Sequence, residues 1–226
     1  MNLFGNMRAR IGVARCNQRY QRAFERFREF TMLSEEDFTD NLRLAERVRG
    51  IDGCVIECGV WRGGMIAGLS LVLGANRNYF LLDSFKGLPP AAAIDGPAAR
   101  AWQKNTADPN YYDNCSAPPE WAGKAMFKAG VSSYKLIEGW FEQTLPQFTP
   151  PDQIALLRLD ADWYESTMVC LTHLFDQVAP GGLIMLDDYY TWDGCSRALH
   201  DFLSQRSAVE RIHSLGRGST CYLVKR

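Results

Sequence analysis

The chain is poor in the features that announce specialised architectures. No apolar run approaches the ~20 residues a helix needs to cross a bilayer. The opening Met1-Asn2-Leu3-Phe4-Gly5-Asn6-Met7-Arg8 lacks the hydrophobic core of a secretory leader. A formal net charge of -1 leaves no broad field to attract nucleic acid or an anionic membrane. Histidine is scarce, at 3 residues, and cysteine is odd in number, at 7. Cys54 and Cys58 form a near pair that no second pair matches, which excludes a zinc ligand set and a disulfide framework. Cys54, Cys58 and Cys170 sit among apolar residues and read as small core residues. Cys195 and Cys221 show no sign of reactivity, and a reducing, cytoplasmic setting fits best. There is no internal repeat, no G-x-G-x-x-G dinucleotide fingerprint and no phosphate-binding lysine motif.

What is present is an ordinary globular balance, 46% hydrophobic and 23% charged over 226 residues. That length suits one large domain, or one domain with a small appendage. The amino end is crowded with Arg8, Arg10, Arg15, Arg19, Arg22, Arg26 and Arg28. These read as a solvated helix face, with a subunit or partner contact as the alternative. Phe24, Phe27 and Phe30 recur at helical spacing. Ser34-Glu35-Glu36-Asp37 starts a second helix, with Ser34 as cap and acids at the positive end of the dipole. Its apolar face is Phe38, Leu42, Leu44, Ala45 and Val48. Gly50 and Gly53 then separate a helical segment, 1–50, from a main domain, 51–226.

In the main domain, apolar runs alternate with helical patterns. Strands are expected at Cys54–Cys58, Asn78–Asp83, Tyr134–Glu138, Ile154 to Asp160, and Leu183 to Asp187. Helices are expected near 65–73, 165–178 and 196–203. Val209–His213 and Thr220–Val224 read as late strands, an antiparallel pair at a sheet edge. The alternation argues for an open, mostly parallel α/β sheet with helices on both faces. Residues from about 84 to 130 break the rhythm with Pro89, Pro90, Pro97, Pro109, Pro118 and Pro119 among Trp102, Tyr111, Tyr112 and Trp121. They read as a surface excursion, as an aromatic lid over a pocket, or as both.

Two acidic stretches dominate the chemistry. Asp160-Ala161-Asp162 follows the fourth apolar run and Asp187-Asp188 follows the fifth. Neighbouring carboxylates repel and resist burial. A hard cation such as magnesium, calcium or manganese resolves the conflict through oxygen ligands. At the first strand's exit lies Glu57-Cys58-Gly59-Val60-Trp61-Arg62-Gly63, an E-x-G-x-x-x-G pattern. Gly59 would let backbone approach a ligand and Gly63 would let the next helix pack tightly. An acid there repels a pyrophosphate and attracts an ammonium or sulfonium group. Asp83, ending the second strand, is placed for ribose hydroxyls. S-adenosylmethionine combines those groups. Asp160-Ala161-Asp162 also matches the D-x-D of a metal-dependent glycosyltransferase, although Glu57 disfavours a diphosphate. A non-catalytic binding module is a further alternative. Trp163 and Trp192 read as pocket or core aromatics, Tyr189-Tyr190 as a pocket wall, and His200 as an exposed helix position or an acceptor neighbour.

Several blocks are familiar in their order: Phe30-Thr31-Met32, VIECGVWRGG (55–64), LDSFKGLP (82–89), EGWFEQTLP (138–146), ALLRLDADWYEST (155–167), PGGLIMLDDY (180–189), and Trp192, Gly194 and Cys195. With these blocks the chain resembles the macrocin O-methyltransferase (TylF/MycF-type) family, which methylates sugar hydroxyls on natural products. The resemblance implies a class I methyltransferase-like Rossmann fold with a mostly parallel seven-stranded sheet. It implies a metal-dependent O-methyltransferase that uses S-adenosylmethionine and Mg2+ or another divalent cation on a sugar or glycoside. A catechol is an alternative acceptor, since it too is a vicinal diol. Asp160, Asp187 and Asp188 match the family's metal ligands, and Asp162 its proposed general base. Glu57, Gly59, Val60, Trp61, Gly63, Asp83 and Ser84 match its cofactor contacts, with Gly139 and Trp140 at the adenine edge and Thr31 at the amino-acid end. A homodimer or higher oligomer is implied as well. The chain departs from the pattern at Tyr190, Thr191 and Asp193, which border the acceptor, and at Arg217 to Thr220.

Overall fold

The structure is a computed structural model and describes residues 18–216 and 218–226. Arg8, Arg10 and Arg15 lie outside the described residues, as does Arg217. No helix among the described residues is long and apolar enough to cross a membrane.

Seven strands form one sheet: β1 (Cys54–Cys58), β2 (Tyr79–Asp83), β3 (Tyr134–Glu138), β4 (Ile154–Leu159), β5 (Val178–Leu186), β6 (His213–Ser214) and β7 (Cys221–Val224), in the order β3-β2-β1-β4-β5-β7-β6. β1 to β5 run parallel, and β7 is antiparallel to both β5 and β6. The chain enters in the middle, builds outward to β3, then returns to the other side of β1. That reversal opens a crevice at the carboxyl ends of β1 and β4, where open α/β sheets bind ligands.

The central strands are buried on both faces, so their side chains divide between two cores. Val55, Tyr79, Leu81, Leu156, Leu183 and Met185 pack into one. Ile56, Phe80, Leu82, Leu157, Ile184 and Leu186 pack into the other. The first core is closed by a helix over 18–27, by Glu35–Ala45 and Gly64–Leu73, and by Glu120–Ala129. The second is closed by Tyr164–Leu174 and Asp193–Gln205. Phe27 and Phe30 are buried and Phe24 packs beside them, as their spacing predicts. Ser34 caps the second helix by accepting from the Asp37 amide at 3.1 Å. Phe38, Leu42, Leu44, Ala45 and Val48 are all buried.

Three expectations need adjustment. Val209–His213 is not a strand; the edge pair is His213–Ser214 with Cys221–Val224, where Val209 is 59% exposed and offers no buried face to pair. The helix expected to reach residue 178 ends at Leu174, and a single 3-10 turn leads into a strand that already begins at Val178. Tyr189 and Tyr190 do not line the pocket: Tyr189 packs on the second core with its hydroxyl 2.8 Å from His200 Nε2, and Tyr190 is 56% exposed. His200 is correspondingly an exposed helix position.

The excursion after β2 carries the helices Gly96–Lys104 and Glu120–Ala129, with a left-handed turn at Tyr112–Cys115 between them. It is fastened to the main domain. Asp95 Oδ1 accepts from the Tyr164 amide at 2.7 Å, and Trp163 Nε1 donates to the Pro89 carbonyl at 2.8 Å. Trp163 is therefore a core residue, 2% exposed.

Candidate active site

Strand register explains why the acids meet. Glu57 on β1 is the direct partner of Arg158 on β4, and Arg158 opposes Met185 on β5. Register partners in a parallel pair emerge on the same face, and residues two apart share that face. Asp160 thus follows Arg158 towards the cleft, beside Asp187. Arg158 is 1% exposed; its Nη1 donates to Glu57 Oε1 at 2.8 Å and to Asp160 Oδ2 at 2.9 Å. Its Nη2 is ion-paired with Asp187 Oδ1 at 2.7 Å, off the angle of a good hydrogen bond. Asp187 Oδ1 also accepts from Thr220 Oγ1 at 3.0 Å. Three acids thus share one guanidinium, which keeps its proton because they surround it.

Asp160, Asp187 and Asp188 each offer one oxygen within 4.8 Å of the others. Asp188 Oδ2 is buried with no hydrogen-bond partner, and so is Glu57 Oε2. Such orphaned oxygens are costly unless a ligand completes them. The donor set, carboxylate oxygen throughout, fits a hard divalent cation. Glu57 Oε2 fits a cationic donor group.

Asp162 sits next to this cluster with a left-handed backbone, φ +55°. Aspartate tolerates that region better than most residues, and such strain gathers at working sites. Trp192 Nε1 donates to Asp162 Oδ1 at 3.0 Å. The electrostatics follow from crowding of acids in the cleft. Burial pushes Glu57 up to about 8 despite Arg158. It pushes Asp160 up to about 6, again against Arg158 and with help from Asp187. Burial raises Asp162 and Asp188 well above the carboxylate range, reinforced by the neighbouring acids.

The other half of the site is built from backbone. Asp83 Oδ2 accepts from the Val60 and Trp61 amides at 2.6 and 2.8 Å, and Oδ1 from the Phe85 amide at 2.7 Å. Its first task is to shape the turn after β1, including the left-handed Trp61, φ +48°. Ser84 Oγ accepts from the Lys86 amide at 3.1 Å and donates to the Gly87 carbonyl at 3.0 Å, fixing the next turn. Gly59 also has a structural reason: a Cβ there would lie 1.7 Å from the Asp160 carbonyl oxygen. It lets the two strand ends close on each other. A Cβ on Gly63 would lie 2.9 Å from Ala122 Cα, so this glycine serves helix packing.

Thr31, Glu57, Gly59, Val60, Trp61, Asp83, Ser84, Gly139, Trp140, Asp160, Asp162, Asp187 and Asp188 all line one cleft of about 260 Å³. Of the cofactor, cation and base residues expected from the sequence, Gly63 alone stands behind it. Trp102 and Trp192 line the cleft too, in keeping with their reading as lid and pocket aromatics, and so does Arg158, which was not foreseen there. Arg158 carried a signal: a charge inside the apolar run Ile154–Leu159, two residues before Asp160, must be paired if the strand is buried. The partnership of Trp192 with Asp162 carried none, because 30 residues separate them.

Comparison with known proteins agrees with this geometry. The family model described as Macrocin-O-methyltransferase (TylF) matches residues 26–222. The 8-demethyl-8-(2,3-dimethoxy-alpha-L-rhamnosyl)-tetracenomycin-C 4'-O-methyltransferase of Streptomyces olivaceus is 34% identical over 173 residues, covering 74% of this chain and 64% of that one. The mycinamicin III 3''-O-methyltransferase of Micromonospora griseorubida is 31% identical over 179 residues, covering 74% and 67%. This chain therefore spans about two thirds of the length of those relatives. Among solved structures, the O-methyltransferase NovP superposes with a TM-score of 0.73 at 25% identity, covering 87% of this chain and 82% of that one. The calicheamicin methyltransferase CalS11 shares the fold, with a TM-score of 0.67 at 21% identity, covering 92% and 91%. The α/β fold with its seven-stranded sheet and the match across residues 26–222 lead to one conclusion: this chain belongs to the macrocin O-methyltransferase family.

Proposed function

We propose that the protein transfers a methyl group from S-adenosylmethionine to a hydroxyl of a sugar or glycoside, with a divalent cation, Mg2+ first, in the acidic cluster. The observation that carries this reading is the convergence of Asp160, Asp187 and Asp188, one oxygen each within 4.8 Å, beside Asp162 in the cleft. The Streptomyces olivaceus relative is named for a rhamnosyl-bearing tetracenomycin, which supports the acceptor class.

S-adenosylmethionine supplies an electrophilic methyl group on a sulfonium. A divalent cation supplies Lewis acidity that lowers the pKa of an acceptor hydroxyl and orients it. The chain's own residues do the rest. Glu57, through its unpartnered Oε2, receives the cationic amino end of the donor, with Thr31 beside it. The Gly59–Trp61 turn presents backbone to the donor, and Asp83 keeps acceptor capacity at Oδ1 for a ribose hydroxyl. Gly139 and Trp140 border the adenine. Asp160, Asp187 and Asp188 hold the cation. Asp162 takes the hydroxyl proton as general base. Trp192 fixes one of its oxygens so that the other is free to face the hydroxyl. The described part of the amino-terminal segment, residues 18–50, reaches the cleft through Thr31, and the excursion over 84–130 forms a lid-like wall through Trp102 and Tyr112.

Calorimetry with S-adenosylmethionine and with a sugar nucleotide, each with Mg2+, tests the donor. Tight binding of the sugar nucleotide alone would sink the methyltransferase reading in favour of a D-x-D glycosyltransferase. Methyl transfer to a panel of sugars, glycosides and catechols then identifies the acceptor; turnover on catechols alone would replace the sugar reading. We also propose a homodimer or larger assembly in the cytoplasm; sedimentation that gives only monomer at micromolar concentration would overturn the assembly.

A further inference from the structure

Arg158 belongs to neither the base nor the cation ligands, yet it touches both halves of the cleft. One nitrogen binds Glu57 Oε1 at 2.8 Å and Asp160 Oδ2 at 2.9 Å, and another lies 2.7 Å from Asp187 Oδ1. No nitrogen of Arg158 is paired with Asp188, whose Oδ2 is left buried without a partner. The planar guanidinium spans acids from three strands in a way a lysine ammonium cannot.

We propose that Arg158 is the resident counter-ion of the cation site. It holds Glu57, Asp160 and Asp187 in place before a divalent cation arrives, and then competes with that cation for the same carboxylate charge. This rests on reading Asp160, Asp187 and Asp188 as the cation ligands. Two effects oppose each other. Ordering the acids in advance strengthens cation binding, while a fixed positive charge beside the site weakens it. The cation ligands Asp160 and Asp187 are short side chains with less rotamer entropy to lose than a glutamate, whereas charge repulsion at this site is strong. The repulsion wins. Arg158 thus stabilises the cation-free fold and keeps the bound cation exchangeable. It is a positioning residue that acts through its carboxylate partners.

The test measures Mg2+ affinity by calorimetry and thermal midpoint with and without Mg2+, for the intact chain, Arg158→Gln and Arg158→Lys. Arg158→Gln should lower the cation-free midpoint by about 10 °C, as expected for a broken buried ion pair. It should bind Mg2+ at least about tenfold more tightly, with a larger midpoint rise on adding the ion. Arg158→Lys keeps the charge and loses the fork, so its cation-free midpoint should fall while its affinity stays within about twofold of the intact chain. A merely structural arginine would not raise affinity, so unchanged or weaker binding by Arg158→Gln overturns the proposal. If Arg158→Gln fails to fold, Arg158→Lys decides: a lowered midpoint at unchanged affinity supports the proposal, and a tenfold fall in affinity overturns it. Absence of Mg2+ binding by the intact chain would overturn the cation reading and this proposal with it.

Discussion

The carboxyl end of β2 and those of β4 and β5 present aspartate to one cleft and treat it in opposite ways. On the first side, Asp83 is nearly saturated by the amides of Val60, Trp61 and Phe85. Its charge is spent on holding a turn. On the second side, the acids crowd one another, Asp188 keeps an oxygen with no partner, and Asp162 sits in a strained backbone. Position at a strand end does not distinguish a structural aspartate from a chemical one. The count of hydrogen-bond donors around it does.

The largest expected effect is at the base. Asp162→Asn should lower kcat by about 10²–10⁴-fold. Calorimetry should show donor and Mg2+ binding retained, and unchanged turnover would remove Asp162 from its role. Next come the two contrasting aspartates. Asp188→Asn should cost at least about tenfold in Mg2+ affinity while the cation-free protein becomes no less stable, because burial and the neighbouring acids already favour the uncharged carboxyl there. Asp83→Asn should leave Mg2+ affinity alone and lower stability by about 1–3 kcal/mol through the amides it abandons, read from denaturant midpoints. The reverse pattern would collapse the distinction between the two sides.

A smaller effect is the pH dependence of stability without cation. The folded-state pKa values of Glu57 and Asp160, about 8 and about 6, lie above their unfolded values, and those of Asp162 and Asp188 are raised as well. The folded state therefore holds protons more tightly. That contribution is fully present below about pH 4, the unfolded carboxylate range, and is lost as pH rises through the folded values towards about 8. Thermal midpoints should fall across that window without cation and flatten with Mg2+. The smallest effect is at Trp192, whose hydrogen bond counteracts the rise at Asp162. Trp192→Phe should move the acid limb of the kcat profile to higher pH, with donor affinity unchanged.

Much of the fold was legible because apolar runs are local. The five parallel strands fall where the runs lie, and Ser34 caps its helix from three residues away. The edge was less legible, since His213–Ser214 is only two residues long and exposed, with no hydrophobic pattern to mark it. Glycines were half legible: Gly59 and Gly63 stood out, but the atoms that exclude a side chain there belong to Asp160 and Ala122, far along the chain.

The sequence by itself determined the strand ends, the acids on them and the family, because these depend on short runs and their order. Tertiary structure decided which acids crowd together in the cleft and which are spent on backbone amides. The reversal of strand order brought Arg158 against Glu57, the pairing of β4 with β5 set Asp160 beside Asp187, and the excursion carried Trp102 to the cleft. A charge acquires its role from the donors, acceptors and water around it, and those neighbours are assembled only when distant strands pair.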